Sequence, residues 1–559
     1  MNQKISVVPE RRKAVYSLLI KNVRIADGLG NPWYYGDVGI KGDKIVYIGQ
    51  VSTKDAEETI EGNKMVLAPG FIDMHSHGEL VFLGERQHEL LEGRVRQGIT
   101  TEIIGNCGIS ISPIKDEMKP AMEASVGWMT PDKVPWEWNS MAEYLSVVEK
   151  KKPVVNVGSL TGHGAIRASQ KGFDSGISSP DEIRKMQDLL GETFEQGSFG
   201  LSSGLIYAPG MFADTNELME LGKVVAEYSR IYTSHIRGSS ETDIDAEQEV
   251  ITIGEKAGCR VHRSHYEAFG EENWDKIETT LQMDEEARHR GVDIGFDMFP
   301  YTAAMTMMIA IYPPWALDGG WPKFVRRVQD PETRKKIEHD IENLVPKWPT
   351  WEVGSWPHNL VKATGWENIY IGYIPSEKNK KWEGRNLLQL GREMKKTPFD
   401  AITDLLVEEE GAISQLIFGV SGDRNNEEPI KAIVKHPLGG YATDAIDIGR
   451  GKPHPAAYGT YPRILGKYVR EEKLLTLEDA IRRMTSFPAN RLGIRDRGII
   501  REGYFADLVL FDSDKIMDRA TYENPRQFAE GIECVIVNGQ TLLEGGILKD
   551  IRPGKVLRK

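Results

Sequence analysis

Apolar and polar residues alternate near both ends of the chain, whereas short, nearly continuous apolar blocks recur between them. Residues 17–25 alternate, Asp27-Gly28 and Gly30-Asn31-Pro32 break the pattern, and residues 37–41 alternate again before a turn at Gly42-Asp43-Lys44. The C-terminal part repeats this style in residues 503–512 and 533–543. Alternation is the signature of strands with one buried face, so the two ends are expected to build one small β-sandwich from residues 1–68 and 495–559. Between them, apolar blocks at 101–105, 154–158, 198–202, 231–235, 261–265, 293–297 and 439–444 are separated by helical stretches. Residues 85–97 stop at Gly98, and 181–196 open after Ser179-Pro180 and close at Gly197. Repeated strand–helix units predict a parallel sheet. The expected fold class is α/β, a (β/α)8 TIM-like barrel over residues 69–494, with a doubly wound sheet as the alternative. From about 313 to 368 the pattern degrades and becomes rich in Trp and Pro, which predicts a lid-like insertion.

The chain has 559 residues, 40% of them hydrophobic, enough for more than one core. A net charge of -13 argues against nucleic acid as a partner, and no apolar run is long enough for a membrane span. Residues 1–14 lack the apolar core of a signal peptide. Three widely spaced cysteines, Cys107, Cys259 and Cys534, form no disulfide framework and suit a reducing cytoplasm.

The chemistry begins at Pro69-Gly-Phe-Ile-Asp-Met-His75-Ser-His77. Side chains two apart on a strand share a face, so both imidazoles point the same way. Cys107 follows the second apolar block, His235 and His265 end later ones, and Asp444 ends the last. Barrel enzymes keep their chemistry at strand C-terminal ends, and imidazole with thiolate favours zinc. Each residue alone has a structural reading: hydrogen-bonding histidines, a small buried cysteine, a capping aspartate. The joint pattern is far more specific. His262, three residues before His265, is expected to face the other side of its strand.

These motifs, with Gly105-Asn-Cys-Gly-Ile-Ser, Gly200-Leu-Ser-Ser-Gly-Leu-Ile-Tyr207, Thr233-Ser-His-Ile-Arg237, Phe299-Pro-Tyr301-Thr-Ala and Tyr458-Gly-Thr-Tyr-Pro-Arg, resemble the amidohydrolase superfamily in its D-aminoacylase branch. The resemblance implies a zinc-dependent hydrolase that cleaves an amide C–N bond of a small molecule. Cys107, His235 and His265 would hold one tight zinc, and His75 and His77 a weaker second one bridged by Cys107. Asp444 would take and return the proton, with Tyr207 and His163 as possible assistants. The fourth-strand region offers no lysine of the kind many superfamily members carboxylate as a bridge.

The departures concern the substrate's α-carboxylate. The family's His-His-Lys is His265-Tyr266-Glu267 here, Met305 stands where a serine is usual although Tyr301 remains, and His-Pro-Arg is His454-Pro455-Ala456. All three changes act against an anionic ligand unless Arg237, Arg450, Lys452 or Arg463 compensates. The expectation is therefore a neutral, cationic or less polar substrate end, with Met305, Trp315 and the insertion supplying apolar contact. A cyclic amide, imide or lactone hydrolase uses the same parts, and a non-catalytic metal-binding scaffold is the alternative outside enzymes. An oligomer is compatible with the sequence.

Overall fold

The computed structural model describes residues 15–51, 56–130, 132–352 and 354–559. The N-terminal segment read above as lacking a signal peptide, residues 1–14, lies outside them. Eight parallel strand positions make the framework. They are β1 (Phe71–Asp73), β2 (Ile99–Ile104), β3 (Asn156–Ser159, continued by Thr161–Gly162), β4 (Gly200–Gly204), β5 (Ile231–His235), β6 (Arg260–Arg263), β7 (Ile294–Met298) and β8 (Gly439–Tyr441). The first three pair in order, and β3 to β8 pair in order through the Thr161–Gly162 segment. Leu160 N–H donates to the Ile104 carbonyl at the break in β3. A parallel bridge Ser76–Ala445 links the chain beyond β1 to the chain beyond β8.

Helices cover these strands for the reasons visible in the sequence. Pro180–Glu195 starts at Ser179, whose hydroxyl accepts from Glu182 N–H while the Glu182 carboxylate accepts from Ser179 N–H. It buries Ile183, Met186, Leu190 and Phe194 on one face.

Among the described residues, strands from near the two chain ends form one nine-stranded sheet. Val66–Pro69 pairs with Leu508–Phe511 on one side and with Tyr16–Ile25 on the other, which joins the N-terminal strands to the C-terminal ones. Alternation sorts its residues. Leu67, Leu508, Leu510, Cys534 and Ile536 join Leu18, Ile20, Val38 and Ile40 in a core of their own. Val66, Ala68, Val509, Phe511, Val535 and Val537 face the opposite way, onto Phe71, Leu91 and Ile99 of the strand–helix framework.

Between β7 and β8 the chain makes a long excursion. Ala303–Met307, Ile369–Tyr373 and Ser414–Phe418 form an antiparallel sheet with the last in the middle. Its helices bury Phe324, Val328, Ile337, Phe399, Ile402 and Leu406 in a separate core. The excursion thus extends beyond the 313–368 stretch singled out in the sequence. Its flanking strands and the helix Pro398–Glu408 are regularly patterned, so they do not differ in composition from the framework around them. No helix among the described residues is long and apolar enough to cross a membrane.

Candidate metal centre and active site

The six chemically interesting residues sit at or just beyond strand C-terminal ends. His235 is the last residue of β5. His75, Cys107, His265 and Asp444 lie two or three positions past β1, β2, β6 and β8, and His77 two further on. Backbone pairing past the strand ends fixes them: Asp444 N–H donates to the His75 carbonyl at 2.9 Å and His77 N–H to the Ala445 carbonyl at 3.1 Å. Cys107, His265 and Asp444 have φ of 52°, 30° and 49°. Left-handed backbone is uncommon outside glycine, and such strain concentrates at functional sites. The neighbouring glycines make room for it. A Cβ on Gly204 would lie 1.9 Å from the Cys107 carbonyl oxygen, and one on Gly105, at φ 80°, would lie 2.3 Å from that of Leu160.

Their ligand atoms converge. Cys107 Sγ is 3.2 Å from His75 Nε2 and 3.5 Å from His265 Nε2. Asp444 Oδ1 is 3.3 Å from His75 Nε2 and 3.2 Å from His77 Nε2. Two groups result, Cys107–His235–His265 and His75–His77–Cys107–Asp444, with donor atoms within 4.8 Å of one another in each. Cys107 belongs to both.

The electrostatics are those of a site built for a cation. Burial would raise the Cys107 thiol, yet His75 and His265 beside it hold it well below its ordinary value. Burial also opposes the charge on His75, but Cys107, Asp297 and Asp444 push that ring well above the usual imidazole range. Asp444 is likewise held well below the carboxylate range, against its burial, chiefly by His75. His235 goes the other way, lowered by burial and by His265, and its Nδ1 is buried without a hydrogen-bond partner. Four imidazoles, a thiolate and a carboxylate brought together, with an orphaned ring nitrogen on His235, fit a bound transition-metal ion.

The Amidohydrolase family's sequence pattern matches residues 58–339 and 399–543. An N-acyl-D-glutamate deacylase of Alcaligenes xylosoxydans xylosoxydans is 32% identical over 542 residues, 97% of this chain and 96% of that one. The chain belongs to the amidohydrolase family. Within it the resemblance is to the D-aminoacylase branch. The crystal structure of N-acyl-D-glutamate deacylase from Bordetella bronchiseptica, complexed with zinc and a phosphonate inhibitor, is 28% identical with a TM-score of 0.80, over 97% of this chain and all of that one. A D-aminoacylase described with a binuclear metal center is 26% identical with a TM-score of 0.79, over the same shares.

This amidohydrolase carries its own pocket around the centre. His77, Cys107, His235, His265 and Asp444 line a cavity of about 30 Å³ together with Tyr207, Glu267 and Met305. Tyr207 packs edge-on to His235 at 5.1 Å between ring centroids and its hydroxyl meets Thr306 Oγ1 at 2.5 Å. Glu267 lies 3.1 Å from His265 Nδ1, so its carboxylate stands beside a ring of the centre as well as facing the cavity.

The structure keeps other expected residues away from the cavity. Arg237 is 1% exposed and forked onto Glu249, with Nε–Oε2 at 3.0 Å and Nη2–Oε1 at 2.9 Å. His163 Nε2 pairs with Glu217 Oε1 at 2.7 Å. The Tyr301 hydroxyl donates to Asp518 at 3.2 Å, and the Trp315 indole to Asp340 at 2.9 Å. Of the possible compensating cations, Arg463 is bound to Glu427 and Asp518, and neither Arg450 nor Lys452 lines the cavity.

Sequence reasoning missed the supports of the centre. Asp297, on β7, receives His265 N–H at 2.7 Å, lies 3.3 Å from His75 Nδ1 and meets His262 Nε2 at 3.0 Å. His262, expected to face away, therefore reaches the layer beneath the centre. The strand ends at Arg263, so alternation does not carry through to His265. His358 and Leu360, from the excursion, complete the cavity wall. Burial and the neighbouring His235 push the His358 ring down to about 3, so it stays neutral. No regular spacing announces either residue.

Proposed function

We propose that this amidohydrolase uses zinc to cleave the C–N bond of a small N-acyl amide whose amine portion carries no free carboxylate. Pairing of the eight parallel strands and the Ser76–Ala445 bridge support their closure as a (β/α)8 barrel, with the sheet of the chain ends as the second domain and the excursion as a lid. Cys107, His235 and His265 would hold the tighter ion, and His75 and His77, sharing Cys107, a weaker second one. When bound, such an ion acidifies water and polarises a carbonyl.

The chain's own residues supply the rest. Asp444, held ionised by His75 and His77, takes the proton of the attacking water and returns it to the leaving nitrogen. Asp297 keeps the His75 ring oriented through Nδ1. Tyr207, fixed by Thr306, walls the cavity beside His235. His358, Leu360 and Met305 exclude water once a substrate is in place.

One observation carries the substrate reading. Among the described residues no lysine or arginine lines the cavity, whose other walls include Ile109, Trp128, Phe269, Met307 and Ile446. Burying a carboxylate there without a cation is costly. The test compares N-acetyl-D-amino acids with the corresponding uncharged carboxamides. Faster turnover of the carboxamides is expected; efficient, D-selective hydrolysis of the free acids would contradict the reading.

A further inference from the structure

A second hollow begins where the metal cavity ends. It is a cleft of about 490 Å³ between the helix Lys119–Val126 and the start of the excursion. Pro120, Ala121 and Ala124 form one side, and Ile309, Leu317, Trp321 and Phe324 the other. Its walls are apolar, and its polar groups include Glu117 and Glu410, both exposed. The cleft and the metal cavity share Ile206, Tyr207 and Met307 as walls. A smaller hollow of about 30 Å³, bordered by Cys107, Ile109, Phe173, Tyr207 and Met307, lies between the two. Met307 is the wall best able to yield, because its unbranched side chain has three rotatable bonds.

The direction of the cleft relative to the chemistry decides what it takes. Asp444 must reach the leaving nitrogen, so the amine portion lies on the Asp444 side. Asp444 contacts His75 and His77, whereas Tyr207, a wall of both the cleft and the metal cavity, packs on His235 of the other ligand group. The cleft is therefore assigned to the portion of the substrate away from Asp444, its acyl group. We infer that the cleft is an acyl-chain subsite, and that the substrates are amides of medium- or long-chain, uncharged fatty acids. This rests on the hydrolase reading above. An apolar cleft of this size holds a drug-sized group, and each buried methylene is worth about 0.8 kcal/mol, a factor of about four in affinity. Glu117 and Glu410 on its lining oppose an acyl chain that ends in a carboxylate.

The test uses the metal-loaded enzyme and N-acyl amides of one neutral amine, from acetyl to dodecanoyl, alongside calorimetric titration of octanamide into the metal-loaded Asp444→Asn protein, with and without Ala124→Trp, so that the heat is of binding and not of hydrolysis. Ala124 is exposed on its helix, so Ala124→Trp fills the cleft without disturbing a core. In the wild type kcat/KM is expected to climb about fourfold per methylene over several methylenes. In Ala124→Trp the climb disappears, acetyl-amide turnover is retained, and octanamide affinity falls at least tenfold. A chain-length response or octanamide affinity that ignores Ala124→Trp overturns the subsite. So does hydrolysis of the acetyl amide with no chain-length response, which would leave the hydrolase reading standing. Octanamide binding that Ala124→Trp abolishes, with no amide of any length hydrolysed, supports the subsite and sinks the hydrolase reading instead.

Discussion

Replacing Asp444 with Asn removes one proton acceptor and little else. The carboxylate is within 3.3 Å of both His75 Nε2 and His77 Nε2, and its backbone sits at φ 49°. Asparagine is isosteric and tolerates left-handed backbone well, so the strand end and its hydrogen bond to the His75 carbonyl are kept. What is lost is the group that accepts a proton from water and delivers it to nitrogen. General acid–base catalysis contributes about 10²–10⁴-fold, equivalent to about 3–5 kcal/mol of barrier. The loss should fall on kcat and on kcat/KM alike, since the interaction belongs to the transition state. The assay is steady-state kinetics on an N-acyl amide, with metal content measured on the same samples. The expected result is turnover reduced by that range at unchanged metal content from the Cys107–His235–His265 group. Turnover within a few-fold of wild type at equal metal content would refute the role of Asp444. Loss of all metal would show instead that the carboxylate is primarily a ligand.

Asp297→Asn removes the charge shared by His75, His262 and the His265 backbone. Metal affinity measured by chelator competition should fall about 10–100-fold, and unchanged affinity would remove Asp297 from the supporting role. Glu217, buried against His163 and Arg167, is lowered to about 2, against its own burial, first by the His163 hydrogen bond. A depressed carboxylate stabilises the fold above its unfolded value near 4.5 and loses that contribution as pH falls through about 2. The contribution is about 3 kcal/mol, so the acid loss of stability between these values, read from urea unfolding, should be smaller by about that amount in Glu217→Gln than in the wild type; superimposable profiles would contradict the pairing.

How much of this was legible in the sequence varies with the kind of signal. Strand-end placement of His75, Cys107, His235, His265 and Asp444 followed from apolar blocks of strand length, because each block ends where its chemistry begins. That strands near the two ends pair with one another was legible for a similar reason, although the expectation was a sandwich and the pairing is that of one nine-stranded sheet: Leu508 and Leu510 alternate with Val509 and Phe511, and both faces of that strand are buried. The supports were not legible. Asp297 reads as an ordinary residue of a buried strand, and its partners come from β1 and β6, far away in sequence. Arg237 shows the opposite failure. A cation beside a strand-end histidine suggests an anion site, but Glu249, one helix further on, already holds it. The excursion's bounds were blurred because its outer strands are as regularly patterned as the framework they leave.

Anomalous diffraction at the zinc absorption edge, from crystals of the zinc-loaded protein, tests the central claim most directly. The account predicts a strong peak bonded to Cys107, His235 and His265, and a weaker one toward His75 and His77 at higher zinc. Zinc-loaded crystals with no peak at Cys107, or with the metal held only by surface carboxylates, would contradict it.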